Sequence, residues 1–180
     1  IGDPVVRFKQ DPVRMLRLLK FKARFGFAIA KDCQDALIAC KEEIIKSSPA
    51  RLLEEIFRML ESGAASNFFK LMLEAGILKL LFPALTHFIY SKKGTEVFRY
   101  LDYADSVNKQ LTKKPVDRNV LACCLLFPIL EKELQEQQVN KDITPHIGDI
   151  IVTTGGIMKA FVTSSFTHFP RRMAATIGYI

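Results

Sequence analysis

Residues 11–24, DPVRMLRLLKFKAR, set one carboxylate, Asp11, ahead of the cations Arg14, Arg17, Lys20, Lys22 and Arg24, with no further acid before Gly26. A carboxylate accepts hydrogen bonds and a guanidinium donates them in a planar fork. Held three residues apart, Asp11 and Arg14 can offer an acceptor and donors to the edge of a nucleobase, as a paired base does. Asp before Pro also reads as an ordinary helix N-cap. At roughly 100° per residue, Arg14, Arg17, Lys20 and Arg24 share about a third of a helix circumference, while Met15, Leu16, Leu19 and Ala23 share another sector. Like charges at these spacings repel by roughly 0.3 kcal/mol per pair, and cations near the amino end oppose the helix dipole. A basic stripe kept at that cost suits phosphates; a solvated face is the plain alternative.

Other groups carry chemistry worth weighing in the same way. Arg51, Glu54, Glu55 and Arg58 stand at spacings that allow ion pairs within one helix. THFPRRMAA, 167–175, joins aromatic residues to Arg171 and Arg172, a combination that can stack on unpaired bases and contact phosphates, or form a turn between helices. Asp102 and Asp105 are spaced D-x-x-D and read as a solvated helix face. No D-x-D occurs, and TTGG at 153–156 lacks the following Lys-Ser/Thr of a phosphate loop. The cysteines Cys33, Cys40, Cys123 and Cys124 form no C-x-x-C pair, and the histidines are scattered. Reduced thiols in a cytoplasmic protein are expected, without structural zinc or any other bound metal.

The formal net charge of +7 favours a polyanionic partner such as nucleic acid. No apolar run is long enough to span a membrane. The first residues and the last resemble the interior of a longer protein, so the chain is expected to be a fragment.

The elements that must position these residues read as helices nearly throughout. Asp11-Pro12 opens a helix that Gly26 stops. A second is predicted over 31–46, a third from Ser48-Pro49 to about Gly63, and a fourth over 66–75 ending at Gly76. Residues 77–83 form a short apolar turn ended by Pro83, and 86–95 a loop. Helices follow over about 95–112 and 116–138, the second with Pro128 inside it. The β-branched residues within 144–166 would suit a strand, but one strand in a helical chain has nothing to pair with, so a helix broken near Gly155-Gly156 is expected.

IGDP, RF, QDPVRMLRLLKFKARFGF, SSPARLLEEIFRMLESG (47–63) and LFP (81–83) together resemble the neck of the class II polynucleotide nucleotidyltransferases, the bacterial poly(A) polymerases and CCA-adding enzymes. The family carries E-D-x-x-R followed by L-R-x-x-R-F. Asp11, Arg14 and Arg17 match it, Lys20 replaces the last Arg, and Gln10 stands where the family has Glu. NVLACCLLFPILE and FPRRMAATIGYI continue the likeness more loosely, and DPVRMLR leans toward the poly(A) polymerase branch. The resemblance implies an all-α fold, with a neck at 1–83 and part of an RNA-binding body at 84–180. The family's β-containing catalytic head, with its D-x-D and Mg, lies outside these residues. It implies a template-independent adenylyltransferase using ATP on RNA 3′ ends. Asp11, Arg14, Arg17 and Lys20 would bind the nucleotide, while Arg24, Arg171 and Arg172 would bind RNA. Arg51, Glu54, Glu55 and Arg58 would support the base-reading helix. No catalytic residue is expected in this chain itself. CCA addition, or a free-standing helical RNA-binding module, are the alternatives.

Overall fold

A computed structural model describes residues 2–141, 146–164 and 175–176, and every regular element among them is helical. In chain order these are α1 (Pro4–Gln10), α2 (Val13–Phe25), α3 (Lys31–Cys40), a 3₁₀ segment (Lys41–Lys46), α4 (Pro49–Leu60), α5 (Ala65–Glu74), α6 (Ile77–Leu81), α7 (Pro83–Ile89), α8 (Glu96–Gln110), α9 (Arg118–Lys141) and α10 (Ile147–Ser164). The all-α expectation is met. Arg171 and Arg172 lie outside the described residues.

The apolar sector of α2 faces inward as its spacing requires: Val13, Met15, Leu16, Leu19 and Ala23 are buried. They pack toward α4 and α5, which contribute Leu52, Ile56, Met59, Phe68, Phe69 and Met72 to the same core. Phe68 and Phe69 meet edge to face with centroids 5.8 Å apart, a favoured arrangement for two ring quadrupoles. Burial of each such side chain is worth about 1.5–3 kcal/mol. α8 packs on α5, and α9 on α8. The α2 face opposite the core is thereby left to carry the cations.

Gly26 stops α2 in the left-handed conformation, φ 68°, with its N–H donating to the Lys22 carbonyl. Glycine adopts that region without the Cβ clash other residues meet. At the other end, Pro12 flanks the first turn in a helical conformation and supplies no side-chain cap. Asp11 accepts the Arg14 N–H with its backbone carbonyl, so its carboxylate is free for other partners.

The helix expected over 31–46 ends at Cys40 and continues as the 3₁₀ segment, and residues 77–81, expected as a turn, are helix α6. Three further expectations need correction. Residues 86–89 are not loop: Pro83 starts α7, which buries Leu85, Thr86 and Phe88. A Pro at the first helical position initiates as readily as a Pro after a helix terminates, and Leu85, Phe88 and Ile89 recur at helical spacing. Second, α10 runs through Gly155 and Gly156 without a break. Two glycines cost about 1 kcal/mol each in a helix; packing on α7 and α9 and the Gln137–Thr153 side-chain hydrogen bond at 3.2 Å hold it.

The third concerns Asp105. Only Asp102 is solvated; Asp105 is buried. Its Oδ1 accepts the Ala65 N–H at 2.7 Å and its Oδ2 the Ser66 N–H at 2.9 Å. The first amides of α5, which no residue of that helix caps, are thus satisfied from α8. Burial pushes the Asp105 carboxyl above its ordinary range, and the two amides pull it part-way back. Asp105→Ala would orphan both donors, and we expect a loss of about 2 kcal/mol. Thermal denaturation should show it as a fall of roughly 4–8 °C in Tm, with Asp105→Asn intermediate because it keeps one acceptor.

Candidate nucleotide and RNA site

The solvent face of α2 lies beside α4, and the charges of the two helices interlock. Asp11 Oδ2 lies 3.7 Å from Arg14 Nε, and its Oδ1 accepts from Arg51 Nη2 at 3.2 Å. The acceptor–donor pair read from the spacing is therefore assembled, and Arg51 of α4 holds the carboxylate from the far side. Arg14 remains 45% exposed. It is neither buried in an apolar interior nor turned from Asp11.

One turn further on, Glu55 lies only 8% exposed between Arg17 Nε at 2.9 Å and Lys20 Nζ at 2.7 Å. Burial alone would push the Glu55 carboxyl up; the hydrogen bonds from Lys20 and Arg17 outweigh it and hold the group below the ordinary carboxylate range. Glu54, its neighbour in sequence, turns to Arg118 of α9, which also holds Glu61. The Arg118 hydrogen bond keeps Glu54 low, and the two acids push the guanidinium up. Among Arg51, Glu54, Glu55 and Arg58, the pair that forms within α4 is Arg58–Glu54 at 3.1 Å; Arg51, Glu54 and Glu55 also reach other parts of the chain.

A cleft of about 320 Å³ opens between the helices, lined by Arg17, Ala50, Arg51, Glu54, Glu55 and Arg58. Arg17, Arg51 and Arg58 bring cations to it. Arg17 spends its Nε on Glu55, leaving the outer nitrogens of its fork for an anion. Lys20 is 17% exposed and bound to Glu55, the most enclosed of the four cations on the stripe. Arg24 stands apart at the carboxyl end of α2, on a second cleft of about 550 Å³ between α2, α5 and α8. Sequence reasoning missed the Arg51–Asp11 and Arg118–Glu54 contacts, which join residues 40 and 64 apart.

Since Glu55 is depressed in the fold, its ion pairs stabilise the protein above the ordinary Glu value of 4.5, and that contribution is lost as pH falls through the folded value. The stability gap between wild type and Glu55→Gln should hold near neutrality and close on acidification below about pH 4.5; denaturant melts across the acid range will show it.

Residues 26–89, from the end of α2 through α7, match the family model described as the probable RNA and SrmB-binding site of polymerase A. The chain is also 33% identical to poly(A) polymerase I of Haemophilus influenzae over 95 residues, 53% of this chain and 21% of that protein. It is 30% identical to poly(A) polymerase I of Escherichia coli O157:H7 over 102 residues, 57% and 22% of the two. A CCA-adding enzyme of Geobacillus is 31% identical over 81 residues, 45% and 20%. The chain matches the class II nucleotidyltransferases at low identity and over part of its length. It spans about a fifth of the length of these relatives. The matched model begins at Gly26 and so takes in α4 with Arg51 and Glu55, but not the Asp11–Arg14 pair.

Among the described residues no three His, Cys, Asp or Glu side chains converge as a metal site. Nor is any helix among them long and apolar enough to cross a membrane.

Proposed function

We propose that this chain is the nucleotide-recognition and RNA-binding part of a template-independent polynucleotide adenylyltransferase. The observation that carries the reading is the Asp11–Arg14 pair, braced by Arg51 and set beside a cleft that Arg17, Arg51 and Arg58 share with Glu54 and Glu55. Asp11 accepts from the amino edge of adenine and Arg14 donates to its ring nitrogens, so the pair supplies the hydrogen-bonding face a complementary base would. Arg17 meets the triphosphate, with Lys20 behind it as the cation that holds Glu55. Residues 1–83 form the neck and 84–180 the RNA-binding body, and Arg24 of the neck acts with Arg171 and Arg172 of the body on the RNA strand.

In that reaction an RNA 3′-hydroxyl attacks the α-phosphate of ATP and pyrophosphate leaves. A divalent cation held outside these residues would supply charge neutralisation for the triphosphate and activation of the hydroxyl. The part this reading assigns to the chain is recognition, from the Asp11–Arg14 pair and the cations of α2: selecting the base, orienting the triphosphate and holding the strand. CCA addition is the second reading, favoured by the similarity to CCA-adding enzymes at comparable identity; it keeps the same residues and asks the pair to accept cytosine as well.

Titration of the labelled chain with ATP and with CTP, followed by NMR, tests the assignment. ATP is expected to shift the Asp11 and Arg14 amides and the Arg17 Nε signal more than CTP does. Equal shifts with both nucleotides favour CCA addition. RNA binding with no nucleotide response at these residues would reduce the chain to a helical RNA-binding module.

A further inference from the structure

Phe21, Phe25 and Phe27 are 49%, 52% and 59% exposed, yet they are not scattered. The Phe21 and Phe25 rings stack with centroids 6.1 Å apart and planes 22° from parallel, and Phe25 and Phe27 at 5.4 Å and 27°. The register follows from the backbone. Phe21 and Phe25 are one turn apart on α2, and the left-handed Gly26 swings Phe27 back beside Phe25. Cations accompany the rings: Lys20 Nζ lies 6.0 Å from the Phe21 centroid, and the Arg24 guanidinium 5.1 Å from that of Phe25. Arg24 and Phe25 also line the larger cleft, where Lys70 and Lys109 add positive charge.

Two acids face that cleft as well, Asp102 and Asp105, but both oxygens of Asp105 are engaged by the amides of α5. The Ser66 hydroxyl, buried at the cleft wall, finds no hydrogen-bond partner among the described residues. Aromatic faces in sequence beside a cationic groove fit a single-stranded nucleic acid: bases stack on rings whatever their identity, and phosphates follow the cations.

We propose that Phe21, Phe25 and Phe27 are a base-stacking platform for unpaired RNA, whose backbone enters the cleft at Arg24, Lys70 and Lys109. This rests on the RNA-binding reading of the chain and names the surface and the strand state it takes. The platform is continuous with the nucleotide face of α2 but lies at its opposite end, so it holds upstream nucleotides rather than the incoming one.

The test is fluorescence anisotropy of a labelled oligoadenylate of about 15 nucleotides with the 180-residue chain, at salt from about 50 to about 200 mM. The double variant Phe25→Ala with Phe27→Ala should bind about ten- to a hundred-fold more weakly with an unchanged salt slope. Lys109→Ala should weaken binding and lower the slope by about one. The chain has no tryptophan, so Phe25→Trp installs a single reporter; it should retain binding, and its emission should be quenched by the oligomer. Circular dichroism confirms that each variant is folded.

If the double variant binds as wild type does and the indole emission of the Phe25→Trp variant stays unmoved, the platform is wrong while the RNA-binding reading stands. If wild type itself fails to bind at low salt, that reading falls and takes the platform with it. Loss of self-association in the double variant, with RNA binding intact, would assign the rings to a protein contact and overturn the proposal.

Discussion

On the proposed function, Arg14→Ala, tested in a polymerase that carries these residues, is expected to erode the preference for ATP over CTP rather than to lower turnover uniformly. A bidentate side-chain contact to a base edge is worth about 1–3 kcal/mol of discrimination, which corresponds to roughly five- to 150-fold in the ratio of kcat/KM values. The direction follows from the geometry. Arg14 is half exposed and 3.7 Å from Asp11, so truncation leaves no buried orphan in the core and spares the fold. What disappears is the donor half of the proposed base-reading face. Arg14→Lys should not restore selectivity, because an ammonium is a point charge and not a planar fork. Competition between ATP and CTP for the same RNA end reads the ratio directly. A variant that slows both nucleotides equally would assign Arg14 to general phosphate binding and remove the base-reading proposal.

Glu55→Ala carries the largest expected loss of stability. Taking one partner from a buried ion pair typically costs about 3–5 kcal/mol, because the charge left behind is uncompensated. Here the stranded cations are unequal. Lys20 is mostly enclosed, while Arg17 is 43% exposed and screened by water. A loss near the lower end, about 3 kcal/mol, is therefore expected. Chemical denaturation should give it as a lower midpoint at unchanged slope. The double variant Glu55→Ala with Lys20→Met should recover much of it, since the enclosed charge is then gone as well. A loss below about 0.5 kcal/mol, the usual size for a surface substitution, would mean that Glu55 does not anchor α2.

The helical class, the two faces of α2 and its stop at Gly26 are all legible in the sequence, because each rests on local physics: period, capping and backbone freedom. The Asp11–Arg14 pairing is legible too, being a three-residue spacing. Which distant partner each charge takes is not. Spacing suggests that Arg51, Glu54, Glu55 and Arg58 pair along their own helix, and only Arg58–Glu54 illustrates that. Glu55 instead reaches back 38 residues to Arg17, and Arg118 reaches 64 residues to Glu54. Such contacts depend on how helices dock, which an i,i+4 rule does not contain. Asp105 is the same lesson in reverse: beside Asp102 it reads as surface, yet it faces the uncapped amides of α5, a need visible only once α8 lies against that end. The phenylalanines escape a sequence reading for a different reason. Aromatic residues normally signal core, yet at 100° per residue Phe21 and Phe25 fall opposite the sector of Met15, Leu16, Leu19 and Ala23, a signal the spacing did contain; Phe27 follows Gly26 outside the helix.

The neighbours Glu54 and Glu55 point about 100° apart on α4, one engaged by α9 through Arg118 and the other by α2 through Arg17 and Lys20. The guanidinium of Arg118 also rests over the Phe57 ring at 5.3 Å. α4 is thus stapled on two flanks and cannot roll about its axis without rupturing both sets of bonds. α2 and α9 are tied to opposite flanks of one helix by charged side chains, in addition to the packing that runs from α2 through α5 and α8 to α9, which makes α4 a keel of the molecule.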